Sequence, residues 1–98
     1  MSLSDVLAEH ARISILKFLA EAPTRSANDS IVADALETFG LSVPRAQVRD
    51  ELQWLAREGL VTTRTVANYI VATLTEAGED VARGRKFVRG VKRPSARP

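Results

Sequence analysis

VRDELQWLAREGLVTTRTVANYIVATLT, residues 48–75, changes its apolar period part-way along. Val48, Leu52 and Leu55 recur at the spacing of one helical face, and Gly59 ends that pattern. From there LVTTRTV (60–66) and YIVATLT (69–75) are rich in Val, Ile, Thr and Tyr, the composition of half-buried strands. Ala67 and Asn68 stand between the two runs, where a hairpin needs a tight turn. The stretch therefore reads as a helix that feeds directly into a β-hairpin. Pro44 belongs in the first turn of that helix, which covers 44–58, because its ring presets φ where no amide partner is required.

Upstream, only LSV (41–43) separates this helix from another. Ile31, Val32, Ala35, Leu36 and Phe39 form the apolar stripe of that preceding helix, Asn28 or Ser26 is its cap, and Gly40 its stop. Two amphipathic helices with so short a connection make a helix-turn-helix. A first helix runs from a Ser2 or Ser4 cap to about Ala22, where Pro23 stops it. Leu7, Ala11, Ile15, Phe18 and Leu19 form its inward side, while Val6, Ile13 and Leu16 point away from that side. This second apolar set needs a cover, which a wing, a terminal helix or a second copy of the chain can supply; a homodimer through the first helix is one expectation. After the hairpin, Thr75 caps a short fourth helix that places Glu76, Glu79 and Asp80 near its positive end and Arg83 near its negative end. Gly84 closes it.

The 98 residues suit one small domain, and 45% apolar with 27% charged residues is an ordinary globular composition. No apolar run approaches the roughly 20 residues that cross a bilayer. No basic segment followed by an apolar stretch opens the chain, and the absence of cysteine excludes disulfides and thiolate metal sites. The expectation is a soluble, cytoplasmic protein without membrane contact. Charge is unevenly spread. Residues 1–82 hold seven Lys/Arg and twelve Asp/Glu, a net charge of −5, whereas residues 83–98 hold seven Lys/Arg and no acid. Residues 1–84 thus read as the folded domain. Residues 85–98, with Arg85, Lys86, Arg89, Lys92, Arg93 and Arg97, read as a basic, disordered arm attractive to nucleic acid, with Phe87 and Val88 available to dock on the body.

Helix, helix-turn-helix, hairpin and closing helix, in that order, resemble the winged-helix regulators of bacteria. ARISILKFLAEAP is similar to their opening helix, WLAREGLV to the end of their recognition helix, and ATLTEAGEDVA to their second wing strand and following helix. The length and the GVKRPS ending resemble more closely the small winged-helix proteins of Mu-like prophages. The implied fold class is mainly α with a small β-hairpin, a winged helix-turn-helix of order α-α-α-β-β-α. The implied function is a DNA-binding transcriptional regulator whose third helix enters the major groove while the wing touches flanking phosphate or minor groove. Carried over by position, Arg49, Gln53 and Arg57 form the reading row at i, i+4, i+8, and Arg45 contacts phosphate at the helix start. Arg64 and Asn68 belong to the wing.

Asp50 and Glu51 sit within that helix, and a carboxylate near phosphate opposes binding by about as much as one cation contact contributes. Asp50 can accept from a cytosine amino group or orient a neighbouring arginine, and Glu51 projects sideways, toward the second helix. An alternative is a protein-protein interaction module built on a winged helix without DNA binding, which accommodates both acids and a wing tip lacking cations. Trp54 is assigned to packing at the edge of the second helix or in a dimer contact. A lone His10 makes no multidentate metal site, so no cofactor is expected. Without a phosphate loop, a Cys or a second His, the sequence assembles no nucleophile, base and oxyanion donor, and the reading is not an enzyme.

Overall fold

The computed structural model describes residues 1–94. Arg97, counted with the basic arm, lies outside the described residues. The elements are α1 (Leu3–Glu21), β1 (Ser26–Asn28), α2 (Asp29–Thr38), α3 (Arg45–Arg57), β2 (Val61–Val66), β3 (Tyr69–Leu74) and α4 (Glu76–Ala82). This is a winged helix-turn-helix, mainly helical, with a small antiparallel sheet ordered β1-β3-β2. Among the described residues no helix is long and apolar enough to cross a membrane.

Local chemistry explains most boundaries. Ser2 starts α1 with a reciprocal cap: its hydroxyl accepts from the Asp5 amide at 3.1 Å, and the Asp5 carboxylate accepts from the Ser2 amide at 3.3 Å. Asn28 Oδ1 accepts from the Ile31 amide at 2.9 Å and Thr75 Oγ1 from the Gly78 amide at 3.0 Å, so both polar caps satisfy donors that α2 and α4 leave open. Pro44 precedes α3 with extended ψ instead of lying in its first turn. The hairpin closes on Ala67 and Asn68, with Val66 opposite Tyr69.

Strand β1 has no counterpart in the sequence reading. Ser26, Ala27 and Asn28 pair antiparallel with Thr73, Ala72 and Val71. Three small residues with one alanine between two polar neighbours are too short a run to signal a strand, and the pairing exists because β3 offers an edge that the connection after α1 passes. Ile31 and Phe39, read as part of the inward stripe, are about half exposed. The core takes only the Val32–Leu36 row of α2, and neighbouring rows fall beside it.

The two sides of α1 also differ from expectation. Ile13 and Leu16 are buried in one cluster with Val81 and Ala82 of α4 and with Val91, so the chain itself supplies their cover. Leu7, placed on the inward side, is 47% exposed. Two of the three residues that motivated a homodimer are therefore satisfied within one copy, while Val6 stays partly exposed.

Residues 85–94, expected to stand off as a disordered arm, instead return to the body. The Arg85 and Lys86 amides donate to the Asp80 carbonyl, the Lys92 amide donates to the Glu9 carbonyl at 3.3 Å, and Val91 is only 7% exposed. Composition misled here because one buried valine and a few backbone hydrogen bonds suffice to hold a short segment against an existing helix. Val88 joins the packing, whereas Phe87 stays exposed beneath the Arg93 guanidinium, 4.3 Å from its ring centre.

Helix α4 crosses the start of the hairpin at a distance only glycine permits. A Cβ on Gly78 would fall on the Leu60 carbonyl oxygen and within 2.7 Å of Leu74 Cδ1. The Gly78→Ala variant is expected to lose about 2–3 kcal/mol of stability through overpacking. Thermal unfolding would show this as a Tm lowered by roughly 10 °C or more.

Candidate nucleic-acid interface

Helix α3 buries Val48, Leu52 and Leu55, which turns Ala46, Asp50, Gln53 and Arg57 outward. Gln53 and Arg57 are exposed as the sequence reading requires, and among the described residues Arg57 makes no ion pair. Asp50 shares this ridge. Each long edge of the ridge is fixed by a different charged cluster.

The first cluster is built on Asp29, the opening residue of α2, whose side chain has no solvent exposure. Its Oδ1 accepts from the Ser30 amide at 3.1 Å and from the Ile70 amide of β3 at 3.3 Å. Arg45 donates through Nε to Oδ2 at 3.0 Å, while its Nη2 reaches the Asn68 carbonyl at 2.7 Å. Arg49 brings its Nε to 3.3 Å from the same Oδ2. Burial works to raise the Asp29 pKa, but the Arg45 hydrogen bond, the Ile70 amide and the charges of Arg45 and Arg49 together outweigh it and hold the carboxyl below its ordinary value of 3.8. Asp29 is thus ionised at neutral pH. Two guanidiniums around one carboxylate leave a single net positive charge at this edge, and the arginine side chains remain 42% and 41% exposed. Arg45 also lies over the Tyr69 ring, 5.0 Å from its centre.

The second cluster is built on Arg12 of α1. Its Nε donates to Glu51 Oε1 at 2.6 Å, its Nη1 donates to the Gly90 carbonyl at 2.9 Å, and its guanidinium lies 3.9 Å from the centre of the Trp54 ring. Glu51 is consequently buried and neutralised against α1, not directed toward the second helix as the sequence suggested. Trp54 likewise packs under Arg12 and beside Gly90 instead of at the edge of the second helix. Gly90 is required there: its φ is +95°, and a Cβ would come within 2.7 Å of the Trp54 ring. One acid of the adjacent pair is thereby removed from the ridge, and the C-terminal segment is fastened along its flank.

The remaining candidates divide by location. Arg45 and Arg49 converge on Asp29, the Asn68 carbonyl accepts from Arg45, and Gln53 and Arg57 share the ridge. Arg64 is exposed on β2 opposite Val71 and makes no ion pair among the described residues. Arg85 is tied to Asp80 at 2.9 Å near the end of α4. Lys86, Arg89 and Lys92 are exposed and make no ion pair among the described residues, and Arg93 stacks on Phe87. Asp29 and Arg12, which fix the two edges of this helix face, went unrecognised in the sequence. Asp29 follows an Asn cap and looks like an ordinary first-turn acid, and a pairing between Arg12 and Glu51, 39 positions apart, carries no local signal.

Comparison with known proteins places this geometry. No family model matches the chain. Over 95 residues it is 43% identical to the uncharacterized protein gp26 of Escherichia phage Mu, spanning 97% of this chain and 98% of gp26. The chain belongs to the gp26 family. An uncharacterized protein of Haemophilus influenzae is 35% identical to this chain over 77 residues, covering 78% of the chain and 74% of that protein. Among solved structures, Sco5413 of Streptomyces coelicolor, a MarR family transcriptional regulator, matches with a TM-score of 0.64 and 25% identity over 76% of this chain. A mutant of Lactococcus lactis ZitR in apo form matches with a TM-score of 0.59 and 23% identity over 82% of this chain. The gp26-family chain spans 49% and 56% of those two structures, about half their length.

Two measurements probe the clusters. Because the folded-state pKa of Asp29 lies below its unfolded value, its stabilisation is complete above about pH 4 and is lost as the pH falls further. The Asp29→Asn variant is expected to be less stable by about 1–2 kcal/mol at neutral pH, with a shallower decline below pH 4 in acid unfolding. Arg12→Met strands the buried Glu51 carboxylate, with an expected cost of about 2–3 kcal/mol. Emission from Trp54, the single tryptophan, should shift to the red; unaltered melting and emission would contradict the cluster's role.

Proposed function

We propose that this gp26-family chain is a DNA-binding, transcription-regulator-like protein of phage ancestry. Helix α3 enters the major groove, Gln53 and Arg57 face base edges, and Arg45 and Arg49 meet backbone or base at the helix start. The β2–β3 hairpin serves as the wing, with Arg64 and Asn68 beside the flanking backbone. Lys86, Arg89, Lys92 and Arg93 add phosphate contacts, and Arg85 contributes once released from Asp80.

The observation that carries this reading is the withdrawal of Glu51 from the ridge by Arg12. With that acid neutralised, Asp50 alone opposes phosphate there, between Arg49 and Arg57 in sequence and beside a basic segment held by Gly90. Likeness to a MarR family regulator adds support at the level of the fold. The protein-interaction alternative draws on the exposed Asp50 and on a wing tip of Ala67 and Asn68 without cations. A homodimer through α1 remains part of the proposal on a different surface, the exposed Leu3 and Leu7, and sedimentation across concentration tests it.

Gel-shift titration of the whole chain on mixed-sequence duplex DNA is the deciding experiment. Binding should weaken steeply with salt, each phosphate contact contributing about −0.9 to the slope of log K against log salt. Arg57→Ala should cost about 1–3 kcal/mol if the side chain reads a base. Lys86, Arg89 and Lys92 changed together to Gln should flatten the salt slope while leaving Val91 in the core. Undetectable or salt-independent binding at low ionic strength favours the protein partner instead.

A further inference from the structure

Asp29 is answered by more charge than it needs. One carboxylate without solvent contact accepts from the Ile70 amide and is met by two guanidiniums, yet both arginines keep two-fifths of their side chains in water at the edge of the proposed reading helix. If the cluster existed only to bury a charge, a single two-point arginine would suffice, and Arg45 already supplies two contacts, at 3.0 and 3.4 Å. Arg49 reaches the same oxygen through Nε, which orients its guanidinium without enclosing it. Arg45 also binds the Asn68 carbonyl at the hairpin turn, so one side chain joins the start of α3 to the wing.

We propose that Asp29 is a positioning residue for DNA recognition, an internal stand-in for a backbone phosphate that holds Arg45 and Arg49 in one orientation and registers the wing against α3 before DNA arrives. The proposal rests on the DNA-binding reading above. It has two opposed consequences. Two long cations are ordered on folding instead of on binding, which favours base discrimination. The same carboxylate competes with phosphate for both guanidiniums, which weakens attraction to arbitrary sequence. A merely structural Asp29 would support both kinds of binding alike.

The test compares the full-length wild type, Asp29→Asn and an Arg45→Lys/Arg49→Lys double variant. The asparagine retains an oxygen for the Ile70 and Ser30 amides while losing the charge, and the lysines retain charge while losing the planar fork. Each protein is titrated with mixed-sequence duplex across salt and used to select from a randomised duplex pool. Arginine Nε–H signals are recorded by NMR on the DNA-free proteins. The wild type should show water-protected Nε–H signals for Arg45 and Arg49 that vanish in Asp29→Asn. Asp29→Asn should bind mixed-sequence duplex about fivefold more tightly near 0.1 M salt, with a slope steeper by about one contact, while its selected motif flattens. The lysine pair should keep mixed-sequence affinity within about twofold and also lose the motif.

Weaker or unchanged mixed-sequence binding by Asp29→Asn, or unprotected arginine signals in the wild type, overturns the positioning role while leaving DNA binding itself standing. A wild type that binds no duplex at low ionic strength overturns the DNA reading and this proposal with it. Should Asp29→Asn fail to melt cooperatively, the lysine pair and the wild-type spectra decide: a motif retained by the lysine variant, or absent protection, counts against the proposal.

Discussion

An ionised carboxylate with no contact to water stands where α2 begins, and the placement of α3 against the wing follows from how its charge is met. A buried ion is costly unless paired and hydrogen-bonded, so the segments that answer Asp29 cannot move apart independently. The Ile70 amide comes from β3, two guanidiniums come from the first turns of α3, and Arg45 reaches onward to the carbonyl at the hairpin turn. Apolar packing brings α2, α3 and the sheet together, but it is indifferent to small rotations of one element on another. The directional contacts at Asp29 remove that freedom.

On the opposite flank Arg12 does a related task with different chemistry. It neutralises Glu51, lies flat on the Trp54 ring and holds the Gly90 carbonyl, joining α1, α3 and the C-terminal segment at one point. A guanidinium suits this position because it offers its edge to oxygens and its face to an indole at the same time. Helix α3 is therefore clamped along both sides, with Gln53, Arg57 and Asp50 left to solvent between the clamps. The adjacent acids that look alike in sequence have separate fates, one structural and one on the exposed ridge.

These clusters also bear on how a chain that spans only about half the length of the two solved structures it matches keeps a defined shape. Its apolar core is small, and Ile13 and Leu16 of α1 would remain uncovered by the helix-turn-helix alone. Helix α4, approaching Leu60 as closely as Gly78 allows, and Val91 from the returning C-terminal segment close that side. Segments with few apolar residues are thus held by a glycine contact, backbone hydrogen bonds and ion pairs.

The sequence by itself determined the four helices, the hairpin, most caps and stops, and the outward facing of Gln53 and Arg57, because periodicity, glycines and capping side chains act within a few residues of where they are written. It did not disclose β1, whose three residues become a strand only when the β3 edge lies beside them. Nor did it disclose the fold-back of residues 85–94, where burial of Val91 outweighs a composition that reads as disordered. The tertiary structure alone decided that Asp29 engages Arg45 and Arg49 and that Glu51 belongs to Arg12. Charge pairing depends on separation in space, and these partners are neighbours only in the packed arrangement of helices on sheet.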